Sequence, residues 1–374
     1  MRRINVLAVG LLGVLLIGTG LIWYLLPYQL SELTDKEIVV IDTLFEKTKP
    51  QCIGRYVIDV PESFDNQLKD SIYIDDFKIE SKFIYPPAFK QRIELREKEL
   101  REAINLPGNE MKNAPYLKEV ILLPDGKGVI FDRNKPAADD AYRVLEAHVY
   151  VNNIAFIITT GILDLSADKY AKEKKSYMDV SGYSEFETNT KQAKLTAMRS
   201  LISRISGRLD HEIPSEKGAC IPNGFILDDG KKHQQQVTML YENADLFLSF
   251  ESDNRYLGSS DTLLNREKEI NEVIHDQGYR TIKKGNLSPN GIPSQEWLVT
   301  KVQEVYFEAD NRRIPNQPYY DFHFFANEAT ATDIIPKLDI GMHNQDKFTS
   351  YSDAQMVEIW DRIIGSLRYK PNAF

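Results

Sequence analysis

The feature that most limits what this chain can fold into is that it repeats itself. Cys52 opens the run Cys52-Ile53-Gly54-Arg55-Tyr56-Val57-Ile58-Asp59-Val60-Pro61, which reads as a strand stopped by proline. Cys220 opens a second run, Cys220-Ile221-Pro222-Asn223-Gly224-Phe225-Ile226-Leu227-Asp228. At nearly equal distances beyond the two cysteines stand Arg96-Glu97-Lys98-Glu99-Leu100 and Arg266-Glu267-Lys268-Glu269-Ile270. Farther on, Arg204-Ile205-Ser206-Gly207-Arg208-Leu209 is echoed by Arg362-Ile363-Ile364-Gly365-Ser366-Leu367. Three landmarks in one order predict one unit used twice, against the alternative of two unrelated domains with charged helices of similar composition. At 374 residues the chain has room for both units, since single cores stop growing near about 250–300 residues.

The period of the apolar residues says what each unit contains. Phe77, Ile79, Ser81, Phe83 and Tyr85 alternate with Lys78, Glu80 and Lys82, the period-two pattern of a half-buried strand. Phe89, Ile93, Leu100 and Ile104 then follow helical spacing. Further strands are expected near 120–123, 129–132, 142–151 and 154–160, the last two turned at Asn152-Asn153. A long polar segment from Asp164 to Asn189 leads to a helix whose stripe is Leu195, Met198, Ile202, Ile205 and Leu209. The second unit reads as a hairpin over 235–241 and 246–252 and a helix over 261–276. Strands at 297–302, 305–309 and 320–327 follow, then a last helix over about 353–367. Ser352 and Gln355 have capping-box spacing at the start of that helix. The expected class is α+β: two similar tandem domains, each an antiparallel sheet with two helices, behind an N-terminal transmembrane helix.

That helix is read from Val6 to Leu26, an uncharged stretch long enough for a bilayer core of about 30 Å. Arg2 and Arg3 precede it and favour a cytoplasmic N-terminus, which places everything after Pro27 beyond the inner membrane, in the periplasm. A cleaved signal peptide ending near Gly18-Thr19-Gly20 is the rival reading. The expected organisation is an anchor over 1–27, a polar stalk over 28–51 with room for one short strand at its apolar patch Glu37 to Ile41, and α+β domains over 52–215 and 216–374.

Chemistry is hard to find in this sequence. There is no G-x-S-x-G elbow, since Gly182-Tyr183-Ser184-Glu185-Phe186 lacks the last glycine. Phosphate-cradling glycine loops and H-E-x-x-H are missing too, and His148, His211, His233, His275, His323 and His343 are scattered. The expectation is a binding protein without catalytic residues, metal or cofactor. A net charge of −9 disfavours nucleic acid as a partner. A protein partner would meet paired carboxylates or aromatics placed in polar loops. The candidates are Asp139, Asp140, Asp228 and Asp229, with Tyr170, Tyr177, Tyr183, Tyr319 and Tyr320. Each has a plainer reading as a solvated turn residue or as packing within its own domain. Cys52 and Cys220 are open to three readings: a disulfide between matching points, two small buried side chains, or a reactive thiol.

The C-x-G-R-Y-x-x-D-x-P opening at Cys52, with Gly224-Phe225-Ile226-Leu227-Asp228 after Cys220, resembles the immunity proteins of type VI secretion lipase effectors. The likeness is to the group that neutralises the fourth class of these phospholipases, and it spans roughly Gln51 to Pro371. It implies an envelope protein whose two similar α+β domains grip a cognate phospholipase effector like a claw, without catalysis. A bitopic envelope scaffold with no toxin partner is the alternative.

Overall fold

The computed structural model describes residues 30–67, 70–307 and 311–374. The expected membrane span at 6–26 lies outside them; among the described residues no helix is long and apolar enough to cross a membrane. The first half of the chain runs α1 (Asp35–Phe45), β1 (Thr48–Ile53), β2 (Tyr56–Pro61), β3 (Asp65–Asn66), β4 (Ser71–Ile74), β5 (Phe77–Phe83) and α2 (Pro86–Arg101). It continues through β6 (Leu117–Leu122), β7 (Gly128–Asn134), β8 (Tyr142–Val151), β9 (Ile154–Leu163), α3 (Ala171–Ser181), α4 (Lys191–Arg204) and β10 (Ile205–Gly207). The second half runs β11 (Gly218–Ile221), β12 (Gly224–Leu227), β13 (Gln235–Glu242), β14 (Phe247–Asp253) and α5 (Glu267–Asp276). Then come β15 (Arg280–Leu287), β16 (Ser294–Phe307), β17 (Arg312–Ala326), β18 (Lys337–His343), α6 (Asp353–Gly365) and β19 (Arg368–Tyr369).

The duplication is written into the strand order. Outward from the centre, one half reads β4-β5-β9-β8-β7-β6 and the other β13-β14-β18-β17-β16-β15. β4 and β13 pair antiparallel, Ile74 opposite Gln235 and Ile72 opposite Val237, so the expected two sheets are one continuous thirteen-stranded sheet. α4 and α6 cover one face, where Leu195, Met198, Met356, Trp360 and Ile363 join strand residues of both halves in a single core. α2 and α5 lie at opposite ends of the other face, Leu100 against Val129 and Phe131, and Ile270 against Trp297 and Val299.

At the junction the halves exchange strands. β10, which follows the first-half helix α4, pairs with β12 of the second half. β19, which follows α6, pairs with β2 of the first half. The two cysteine hairpins, β1–β2 and β11–β12, meet where Cys52 and Cys220 form a disulfide, with Cα atoms 5.6 Å apart. Gly54 and Cys220 exchange backbone hydrogen bonds of 2.9 and 2.8 Å beside it. Gly54 has φ +57°, and a Cβ there would lie 2.4 Å from Ser252 Oγ, so the approach requires glycine. Arg208 holds the same spot, its guanidinium donating to six backbone carbonyls, those of Cys52, Leu209, Asp210, Glu212, Ile221 and Gly224.

The expected stalk is folded. α1 starts in a Thr34–Glu37 capping box and buries Ile41 completely. Glu37 accepts from Ser352 Oγ at 2.7 Å and Asp42 pairs with Arg362 at 2.8 Å, which docks α1 on α6. The apolar patch at 38–41 is therefore helical and not a strand, because one of its residues meets a neighbouring helix and the rest stay in water.

Near the junction, burial and then the charge of Asp210 push the Asp70 carboxyl up to about 7, and its Oδ1 has no hydrogen-bond partner among the described residues. The folded protein holds this proton more tightly than the unfolded chain does. Stability therefore falls as pH rises from about 4 to about 7. Asp70→Asn should gain about 2 kcal/mol at pH 8, allowing for remaining solvent contact, and nothing at pH 4. Urea unfolding at both pH values checks this; an equal gain at both would contradict it.

Candidate partner-binding surface

Comparing the two halves isolates a segment that the second half does without. Between β18 and α6 the chain spends residues 344–352, whereas between β9 and α4 it spends residues 164–190. The longer segment contains α3, read from the sequence only as polar, and is pinned at its base by a bridge between Asp164 and Asn189. α3 buries none of its side chains. An isolated helix of this length is marginal in water, so its surroundings must hold it. Tyr177 and Tyr142 share a hydroxyl hydrogen bond of 2.7 Å, which with burial pushes Tyr142 up to about 12. Tyr177 and Tyr183 have ring centroids 5.2 Å apart, and Lys174 pairs with Glu185 at 2.8 Å. Gly182 ends the helix at φ 70°, the left-handed cap that glycine adopts without strain.

The segment is tied to the β7–β8 loop through Asp140. This carboxylate receives Lys118 at 3.0 Å, Lys169 at 2.6 Å and the Tyr170 hydroxyl. Its partial burial would raise its pKa, but the bonds from Lys169, Tyr170 and Lys118 outweigh that and hold it at about 2. Asp139 beside it is exposed, with Lys112 3.9 Å away. The structure thus gathers five of the nine sequence candidates, Asp139, Asp140, Tyr170, Tyr177 and Tyr183, into one surface. Phe186, an aromatic of the same polar segment, is 86% exposed beside them; what sequence reading missed is Val180, 82% exposed, together with the exposed Met178 and Tyr142. Helical spacing within Ala171–Ser181 could have revealed it, had the charged residues not masked the period.

The other four candidates lie elsewhere. Asp228 makes a two-pronged pair with the buried Arg55, both bonds 3.0 Å, and Arg55 also donates to the Ala373 carbonyl. Asp229 accepts from the Lys231 amide at 3.0 Å and pairs with His233 at 3.0 Å, while His233 contacts Asp75 at 2.8 Å. These two carboxylates therefore join the halves and are not an acidic rim. Tyr320 is 2% exposed and donates to Asp353 at 2.9 Å from inside the core, so it is not presented to a partner. Tyr319 points to the other face, its ring 6.0 Å from that of Tyr279, with the Lys301 ammonium over both.

The second half has its own projection. β16 and β17 extend past β15 and β18 as a two-stranded arm. Val302 and Tyr306 are exposed on it, with Arg313 over the Tyr306 ring at 5.5 Å. Among the described residues no group of three or more His, Cys, Asp or Glu side chains could hold a metal ion. Both projections display aromatic and aliphatic side chains on a polar ground, the composition of protein-binding surfaces.

Comparison with known proteins gives the fold a family. The chain is similar in structure to the apo form of the immunity protein TplEi of the type VI secretion system (T6SS) from Pseudomonas aeruginosa. The TM-score is 0.65 at 18% identity, covering 87% of this chain and 98% of that one. The crystal structure of a Tle4–Tli4 complex contains a similar chain, with TM-score 0.64, 18% identity and the same 87% and 98% coverage. TplEi complexed with "L" peptide matches at TM-score 0.59, again at 18% identity over 87% and 98% of the two chains. No curated protein matches in sequence. Residues 49–208 match the Tle cognate immunity protein 4 N-terminal domain, and residues 212–372 match the C-terminal domain of the same family. Non-catalytic, and built of these two domains in order, the chain belongs to the Tle cognate immunity protein 4 family.

Proposed function

We propose that this immunity protein neutralises a type VI secretion phospholipase effector by direct binding in the periplasm, with the α3 surface as part of the contact. The observation that carries the reading is that α3 is present in only one of two duplicated halves and buries nothing there. Such a segment contributes little to the fold, and its apolar side chains stand where a partner can cover them. One sheet, one core, exchanged strands and a disulfide join the halves. The grip thus consists of two projections on one frame set before binding, which spares the ordering cost of closing a hinge. A disulfide suits an oxidising compartment, and the apolar run at 6–26 would station the inhibitor at the inner membrane that the toxin attacks.

The test pairs the full chain with the phospholipase encoded beside it. The expected dissociation constant is about 1 nM or lower, the upper range for preorganised interfaces of standard size. Co-expression should also rescue cells in which that lipase is directed to the periplasm. No measurable binding together with no rescue would overturn the reading.

A further inference from the structure

Both halves carry a P-x-G turn after an edge strand, Pro124-Asp125-Gly126 after β6 and Pro289-Asn290-Gly291 after β15. In the second half this corner is shut. Asn290 donates to the Leu367 carbonyl at 2.7 Å, and Ile292 and Leu367 are fully buried. The hairpin pairings make Ile205 the counterpart of Leu367: Ser206 and Gly207 lie opposite Phe225 and Gly224 as Arg368 and Tyr369 lie opposite Val57 and Tyr56, and Ile205 and Leu367 each come one residue earlier. Around Ile205 the corner is open. A slot of about 520 Å³ lies there, lined by Leu122, Leu123, Val149, Val151, Ile202 and Ile205. Its floor reaches the core, since Val149 is fully buried, while Leu122 at its mouth is exposed.

The charged groups lining this slot are Lys127 and Arg199. Both are exposed, and neither pairs with a carboxylate among the described residues, although the chain as a whole carries −9. We infer that the slot binds a single-chain anionic amphiphile, its acyl chain along Leu122, Val149 and Ile202 and its carboxylate or phosphate at Lys127 and Arg199. The volume falls within the usual range for small-molecule sites, about 300–1,000 Å³, and an apolar lining with a few convergent polar groups is their usual make-up. Hydrolysis of a phospholipid ester releases amphiphiles of this class. The inference concerns a surface away from α3 and does not depend on effector binding.

The full chain, held in phosphatidylcholine nanodiscs, is photolabelled with diazirine-bearing dodecanoate and dodecyl phosphate, and the labelled peptides are mapped by mass spectrometry. Label is expected on the segments 122–127 and 199–205. It should fall about tenfold in Lys127→Glu/Arg199→Glu, as expected for loss of charge-assisted contacts. Ser203→Trp, an exposed change at the slot, should block labelling with an unchanged melting temperature. The stronger head group identifies the source, a fatty acid or a lysophospholipid. Equal labelling by a dodecyl glucoside probe, or labelling indifferent to both variants, would overturn the site. So would displacement of the probe by the effector but not by unlabelled amphiphile, since that would make the slot a protein-docking groove.

Discussion

Arg208→Met is expected to cost about 3–5 kcal/mol of unfolding free energy, because it takes the donor from several buried carbonyls at once and each group left wholly unsatisfied costs about 1–3 kcal/mol. The side chain is 7% exposed, and its six acceptors come from four segments: β1, the end of β11, the start of β12 and the 209–212 turn. Methionine keeps most of the apolar stem but leaves those carbonyls unpaired. Burial lowers the guanidinium pKa, opposed by the charge of Asp210, yet the group stays far too basic to lose its proton. The disulfide fixes the same hairpins from another direction. It closes a loop of 168 residues, for which the chain-entropy model gives about 3–5 kcal/mol. Two devices acting on one junction should not add. Guanidinium unfolding of Arg208→Met, of Cys52→Ala/Cys220→Ala and of the triple variant should show a combined loss well below the sum. A loss under about 1 kcal/mol for Arg208→Met would mean that water can replace the guanidinium, and the junction would need another explanation.

Why this junction escaped sequence reading has a physical answer. Period and capping are local, so Phe77 and Ile79 reveal β5, and Ser352 with Gln355 reveals the start of α6. Exchange of β10 and β19 between halves depends on partners far apart in sequence, and no local pattern records it. Asp228 and Asp229 looked like a solvated pair because Arg55, 173 residues away from Asp228, is invisible from the turn. The landmark at Arg204 was aligned one helical turn out of place. Strand pairing matches Ile205 with Leu367, where the sequence echo matched it with Ile363. A helix face looks alike after each turn, so short echoes within helices slide. Leu100 and Ile270 kept their match, since each packs on the corresponding strands, β7 and β16. β18 was missed although Leu338, Ile340 and Met342 alternate clearly, while β15, with Lys283 and Lys284, carries little apolar signal to read.

Part of the binding surface was legible for a simple reason: tyrosines in a polar segment are conspicuous, and Tyr170, Tyr177 and Tyr183 do stand together. Tyr319 and Tyr320 carried the same signal but sit in a strand, where adjacent residues face opposite ways and Tyr320 goes to the core. Aromatic content marks surfaces well only where no regular element assigns one side to the interior.

Val180→Glu/Phe186→Glu should separate folding from binding more sharply than any change in the core. Both side chains are more than four-fifths exposed, so the free protein should melt within a degree or two of wild type. In a complex that covers α3, two carboxylates would be buried against apolar atoms without partners, at several kcal/mol in total. Affinity for the effector should therefore fall about 1,000-fold or more, mainly through faster dissociation, and protection of cells should be lost. A second variant replaces residues 164–190 with the 344–352 segment of the other half. It should also fold, because that half joins the same two elements without α3, and it should lose affinity to the same degree. Biolayer interferometry on both variants, beside a melting curve for each, reads the result. If both bind within about threefold of wild type, α3 is not at the interface. The β16–β17 arm, where Val302 and Tyr306 are exposed, would then be the next surface to test, with Val302→Glu expected to weaken binding.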